Sequence, residues 1–254
     1  MITVNEIYAF LDSIASFNLQ MDFDNSGFLI GEGNSEVTGV LLALDITDQV
    51  VEEACSTGSQ LIVSHHPVIF HSMKNLSLTP ETKKYYTMIR NHISAICLHT
   101  NLDIAEGGVN DILLERLGLK SISALDQDQC GRIGEYEEIF DFHSFLTYCK
   151  ERLNAEGLRY FYAGKPVKRI AVMGGAGASA IREAWRKECD TYLTSDIKYH
   201  DFLLAEELGI NLIDADHYYT ENPVIEILRQ KLSTQFPELN ISISKKHGQI
   251  IHFA

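Results

Sequence analysis

Three short stretches of the chain concentrate imidazole and carboxylate groups. SHHPVIF carries His65 and His66, HTNLDIAEGGVND carries His99, Asn101 and Asp103, and IDADHYYTE carries Asp214, Asp216, His217 and Glu221. Each stretch ends an apolar run, and in α/β sheets ligands gather at the carboxyl ends of the strands. The three stretches are therefore expected on one rim. His65 and His66 are consecutive, so on a regular strand they would point to opposite faces; Pro67 supplies the break that lets a turn aim both at one cavity. His217 and Glu221 are four apart, which on a helical turn puts imidazole and carboxylate on the same side. Nitrogen and hard oxygen donors of this kind suit Zn, Mn, Fe, Co or Ni better than Ca or Mg. His65, His66, Asp103, His217 and Glu221 exceed the three protein ligands usual for one catalytic zinc, which points to two ions sharing carboxylates. A lone strand-end histidine is more often hydrogen-bonded or solvated than a ligand, so the reading rests on the combination. His71, His143 and His252 have no acid-rich strand terminus beside them and are expected to be structural or surface residues.

The elements that must position these groups follow an alternating pattern. VLLALDI (40–46), QLIVSHH (60–66) and ISAICLHTNLD (93–103) read as buried strands, with helix-like DQVVEEAC and PETKKYYTMIRN between them. An amphipathic helix over residues 3–17 opens the chain, with Thr3 or Asn5 available as its cap. The alternation recurs as RIAVM, a helix over about 179–187, TYLTSD, a helix over about 200–208, and INLIDAD. This order predicts an α/β fold with two layers joined at about 119–165. The first is expected to comprise residues 1–125 plus about 215–254 and the second about 126–214. VIEILRQKLSTQF reads as a helix, and NISISKKHGQIIHF as a closing hairpin.

Composition narrows the class. The 254 residues are 45% apolar and 22% charged, as in an ordinary globular protein. A formal charge of −14 repels polyanions and acidic lipid, so direct nucleic-acid binding is not expected. Five widely spaced cysteines without a C-x-x-C pair fit a reducing cytoplasm. No apolar run approaches the roughly 18 residues of a membrane span, and the acidic N-terminal segment lacks the positive charge of a signal peptide.

One competing signal is IAVMGGAGASA, in which Gly175, Gly177 and Ala180 satisfy G-x-G-x-x-A and Asp196 ends the next strand. That spacing is a dinucleotide fingerprint, although Gly-rich strand-to-helix turns also serve tight packing.

Taken in order, SHHPVIF, HTNLDIAEGGVND, GGAGAS followed by TSDIKYHD, and IDADHYYTE resemble the dinuclear-metal family of GTP cyclohydrolase 1 type 2 homologues, or Nif-three-like proteins, in its short bacterial form. FDNSGFLIG resembles its N-terminal motif, with Phe23 in place of the usual Trp. The resemblance implies two α/β subdomains with mainly parallel sheets facing each other across a metal-containing cleft, and a ring-shaped homohexamer. It implies a dinuclear site held by His65, His66, Asp103, His217 and Glu221, and two divalent metal ions as cofactors. Asp216 and Ser195 depart from it, since glycine is usual at both positions. His99, His200, Asp45 and Asp196 fall in or beside the motifs as candidates for acid/base work or for orienting a ligand. His99 and His200 are the candidate catalytic residues. Asn25, Asn110 and Asp111 are expected to hold loops.

The function this implies is a metal-dependent hydrolase acting on a nucleotide-like small molecule, by purine ring opening or phosphoester hydrolysis, with a hydroxide bridging the two ions as nucleophile. The alternative is a metal-binding, metal-delivering or regulatory ring without turnover.

Overall fold

Thr3 decides where the chain first becomes helical. Its hydroxyl accepts from the Glu6 amide while the Glu6 carboxylate takes the Thr3 amide, a reciprocal cap that starts α1 at Val4–Ile14. The computed structural model describes residues 1–253. Their contacts divide into two compact units, one formed by Met1–Ala105 with Val224–Gly248, the other by Glu106–Pro223 with the segment from Gln249 onward.

In chain order the first unit contains β1 (Ile2–Thr3), α1, β2 (Gly27–Ile30), β3 (Glu36–Val37), β4 (Gly39–Ala43), α2 (Asp48–Thr57), β5 (Leu61–Ser64), α3 (Lys83–Arg90), β6 (Ser94–Cys97) and α4 (Thr100–Ile104). The second contains α5 (Val109–Arg116), β7 (Ser123–Ala124), β8 (Arg132–Phe140), α6 (Phe142–Leu153), β9 (Arg159–Phe161), β10 (Val167–Val172), α7 (Ile181–Arg186), β11 (Thr191–Thr194), α8 (Tyr199–Leu208), β12 (Asn211–Asp214) and α9 (His217–Glu221). The chain then returns to the first unit for α10 (Pro223–Gln235) and β13 (Asn240–Ile243).

The first unit's main sheet has the order β13-β4-β5-β6-β2, parallel except where β2 runs against β6. The strands β4, β5 and β6 are buried at every residue, which explains their continuous rather than alternating apolar pattern. Leu41, Ile62 and Ala95 on this sheet pack with Val50, Val51 and Met88 from α2 and α3. The register aligns Ala43 with Ser64 and Ser64 with Cys97. Asp45, His66 and His99 each stand two residues beyond one of these aligned positions, so the parallel register alone brings them to one edge.

The second unit's sheet, β7-β8-β10-β11-β12-β9, corrects the expectation of mainly parallel sheets: only its centre, β10-β11-β12, is parallel. The strands β7, β8 and β9 join antiparallel. In β8 (RIGEYEEIF) and β9 (RYF) polar and aromatic residues are mixed. An antiparallel edge strand needs only one covered face. Thr194 is in register with Asp214, which sets Asp196 and Asp216 side by side at the carboxyl edge.

The closing hairpin does not form. Only Asn240–Ile243 is a strand, and it pairs parallel to β4. Beyond it Glu53 accepts from the Ser244 hydroxyl and from the Lys245 and Lys246 amides, and His247 Nδ1 accepts from the Leu44 amide at 3.2 Å. These bonds tie residues 244–247, where a hairpin would have its turn, to Glu53 of α2 and to Leu44 after β4. No described helix is long and apolar enough to cross a membrane.

Candidate metal centre

In the first unit the chain turns sharply after β5. Ser64 Oγ donates to the His66 carbonyl at 2.8 Å and the His66 amide to the Leu44 carbonyl at 2.9 Å, closing the turn expected at Pro67. His65 is fully buried, and its Nδ1–H donates to the Leu98 carbonyl at 2.7 Å. A carbonyl can only accept, so the neutral ring carries its lone pair on Nε2. That atom faces Asp103 Oδ1 at 3.7 Å, with Asp103 presented from the short, buried helix α4. His66 Nδ1 pairs with Asp45 Oδ1 at 2.7 Å and His99 Nδ1 with Asp24 Oδ1 at 2.7 Å. His65, His66 and His99 each offer a ring nitrogen, and these lie within 4.8 Å of one another, close enough to hold a metal ion.

The second unit repeats the device. Asp196, at φ 55°, follows β11 and accepts from His217 Nδ1 at 2.8 Å. His217 Nε2 then faces Glu221 Oε2 at 2.9 Å, across the single turn of α9. With its Nδ1 proton donated to Asp196, a neutral imidazole presents the Nε2 lone pair to the carboxylate, and a cation between the two atoms would join them. Two donors each about 2.1 Å from one ion and at right angles stand about 3 Å apart, so the pair fits a cation.

Gly175 explains the glycine-rich turn. A Cβ there would stand 2.1 Å from Glu221 Oε1 and 3.3 Å from His217 Nε2, and its φ is +66°. The Gly175 amide donates to Thr220 Oγ1 and the Gly177 amide to Thr194 Oγ1, each at 3.0 Å. Asp196 is held by His217. The dinucleotide reading is disfavoured by geometry: the Gly175 and Gly177 amides that would cradle a phosphate are used, and the turn is small so that Glu221 fits against it. Gly175→Ala is expected to cost about 1–3 kcal/mol, from positive φ and overpacking together, read as a lower midpoint in urea unfolding.

The other singled-out residues separate clearly. His200 stands on α8 with its side chain 73% exposed, 3.5 Å from neighbouring Asp201, outside the metal-competent groups among the described residues. His71, His143 and His252 are exposed. Asp214 accepts from Arg159 and from the Ile197 and Asp216 amides. Asn25 donates to the Ile69 carbonyl and Asp111 binds Arg132 and the Gly107 amide, as loop-holding residues do. The Ser195 hydroxyl donates to the Gly175 carbonyl, where a glycine would leave that acceptor one partner fewer. Asp216 caps α9 through the Tyr218 amide. Sequence reasoning passed over Asp24, although it lies in FDNSGFLIG, because its ring partner is 75 positions away.

The family model for DUF34/NIF3 (NGG1p interacting factor 3) matches residues 2–249. The chain belongs to the DUF34/NIF3 family. Among curated relatives of this DUF34/NIF3 chain, proteins named GTP cyclohydrolase 1 type 2 homolog from Campylobacter jejuni and Clostridium perfringens are 35% and 31% identical. The alignments cover 97% of this chain and 98% of the first relative, and 96% of each chain for the second. A Staphylococcus aureus crystal structure matches with a TM-score of 0.90 at 28% identity, covering 100% of this chain and 99% of that one. A Bacillus cereus protein related to NIF3 matches with a TM-score of 0.93 at 24% identity over 100% and 99% of the two chains, a likeness of fold.

Proposed function

We propose that this chain is a hydrolase of nucleotide-like small molecules that works with two divalent cations held by His65, His66, Asp103, His217 and Glu221. The observation that carries the reading is the common fixing of Nδ1. His65, His66 and His217 each commit that nitrogen to a carbonyl or carboxylate, at 2.7, 2.7 and 2.8 Å, which leaves Nε2 as the donor. Carboxylate–histidine and carbonyl–histidine pairs of this kind orient metal ligands and raise their basicity. The ions, from among Zn, Mn, Fe, Co and Ni, supply Lewis acidity at the reacting carbon or phosphorus and offset the acidic chain's repulsion of an anionic substrate.

The chain's own residues do the rest. Asp45 and Asp196 hold the His66 and His217 rings in one tautomer and one plane. His99 is held the same way by Asp24, and its Nε2 is the atom placed to take up and return a proton during turnover. His200, by its exposure, contributes at most to an entering substrate's path. The relatives' name, GTP cyclohydrolase 1 type 2 homolog, supports a purine nucleotide and ring opening; phosphoester hydrolysis would use the same donors. We place the protein in a reducing cytoplasm as a homohexamer, on the resemblance and on cysteines such as Cys97 and Cys189, whose thiols burial pushes up to about 11 and about 12.

The test is chelation followed by reconstitution with each of the five metals, assayed on GTP and on phosphoesters, with light scattering to read the assembly. Turnover should appear only in loaded protein, and turnover surviving in the metal-free sample would contradict the proposal. Bound, exchangeable metal without turnover on any substrate would favour the carrier or regulatory ring instead.

A further inference from the structure

The helix α9 has five residues, and it carries one proposed donor at its first position, His217, and the other at its last, Glu221. A single turn cannot hold its own shape, because helix formation has a costly nucleus. Something outside it must fix where it starts. Asp216, the residue before it, has φ 68° and ψ 146°, a region that is open to glycine and costly for other residues. Such a conformation persists only where surrounding bonds over-determine it, and here they do. The Asp216 amide donates to Asp214 Oδ1 at 3.1 Å, and its carbonyl accepts from the Thr220 hydroxyl at 3.0 Å. Its Oδ1 accepts from the Tyr218 amide at 3.0 Å and from Gln249 Nε2 at 2.5 Å.

Gln249 begins the C-terminal segment of the second unit. Its orientation is settled by its other end, because the Ile251 amide donates to Gln249 Oε1 at 2.9 Å, which leaves Nε2 to face Asp216. The same segment is seated further along, where a Cβ on Gly157 would stand 2.6 Å from the Phe253 ring. Glycine, the usual residue at position 216 in the resemblance, would adopt the backbone angles freely but could make neither the cap nor the bond to Gln249.

We propose that Asp216 and Gln249 form a latch through which the C-terminal segment fixes the donor-bearing turn α9, making Asp216 a positioning residue for His217 and Glu221. The bearing on cation affinity rests on the proposed metal reading; the mechanical part does not. A latch of this kind predicts that the last residues of the chain, remote in sequence from every donor, tune how tightly the His217–Glu221 pair holds a cation.

The experiment compares full-length Asp216→Gly, Asp216→Asn, Gln249→Ala and the Asp216→Gly/Gln249→Ala double variant in two measurements. The first is amide hydrogen exchange over residues 217–221 in metal-free protein. The second is Co²⁺ titration followed by visible absorption. Gln249→Ala and Asp216→Gly should speed exchange in α9 by about tenfold while β4–β6 keep their protection, and should weaken Co²⁺ binding by about tenfold, the lower end of what losing an orienting partner costs. The double variant should be no worse than Asp216→Gly, since Asp216→Gly already removes the bond to Gln249. Asp216→Asn, which keeps the Oδ1 acceptor, should restore both readings. Unchanged exchange in Gln249→Ala, or additive effects in the double variant, would overturn the latch. Faster exchange with Co²⁺ affinity unchanged in every variant would overturn the positioning role. Wild-type protein that takes up no Co²⁺ would count against the metal reading, and the exchange arm would still decide the latch.

Discussion

Glu221→Gln is expected to lower divalent-cation affinity by more than about a hundredfold while leaving the fold intact. Orienting partners of metal ligands already cost about 10–100-fold when lost, and a donor carboxylate should cost more. The substitution keeps the shape of a side chain only 3% exposed and changes only its charge and one oxygen. In the present geometry His217 Nε2 stands 2.9 Å from Glu221 Oε2, an arrangement that a neutral amide would not draw a cation into. Metal stoichiometry after dialysis, and competition with a chelator, read the effect. Thermal unfolding of the metal-free protein serves as control and should move little, because on the proposed reading the lost carboxylate serves to hold a cation.

Asp24→Ala should have the largest effect on stability. The Asp24 carboxylate is shielded from solvent and accepts from His99 Nδ1 at 2.7 Å, Ser26 Oγ at 2.8 Å, Thr100 Oγ1 at 2.5 Å, and the Asn25 and Thr100 amides at 2.7 and 3.0 Å. Removing the acceptor strands these donors together, a loss of about 3 kcal/mol or more in urea unfolding. Burial pushes the Asp24 carboxyl up, but bonds from His99, Thr100 and Ser26 outweigh it and hold the group well below its ordinary 3.8. A carboxyl depressed in the folded state stabilises at pH above its unfolded value, and that contribution is lost as pH falls from about 4 toward the folded value. Wild type should therefore lose stability steeply below pH 4, and Asp24→Ala should show a shallower decline over the same range. Parallel acid profiles would contradict this role.

Much of this was legible because the candidate donors cluster where strands end. Period and composition located β4, β5, β6, β10, β11 and β12 to within a few residues, and buried parallel strands advertise themselves as unbroken apolar runs. His65 with His66, and His217 with Glu221, are local patterns and so were visible. The orienting partners were less so. Asp24 meets His99 across 75 positions and Leu98 meets His65 across 33, contacts that sheet register creates and no local window contains. The G-x-G-x-x-A turn misled for the opposite reason. Its glycines are required by the approach of the Glu221 carboxylate and the Thr194 hydroxyl, a tertiary cause that produces the same local signature as phosphate binding. The C-terminal alternation misled because Ile241 and Ile243 pair with Val40 and Leu42 of β4, 201 positions earlier, and not with the residues that follow.

The most direct test is metal analysis of the purified protein combined with anomalous diffraction from its crystals. The account predicts two divalent cations per chain, their anomalous peaks in contact with His65, His66, Asp103, His217 and Glu221. Protein that stays metal-free after incubation with zinc and manganese, or peaks that fall elsewhere on the chain, would contradict it.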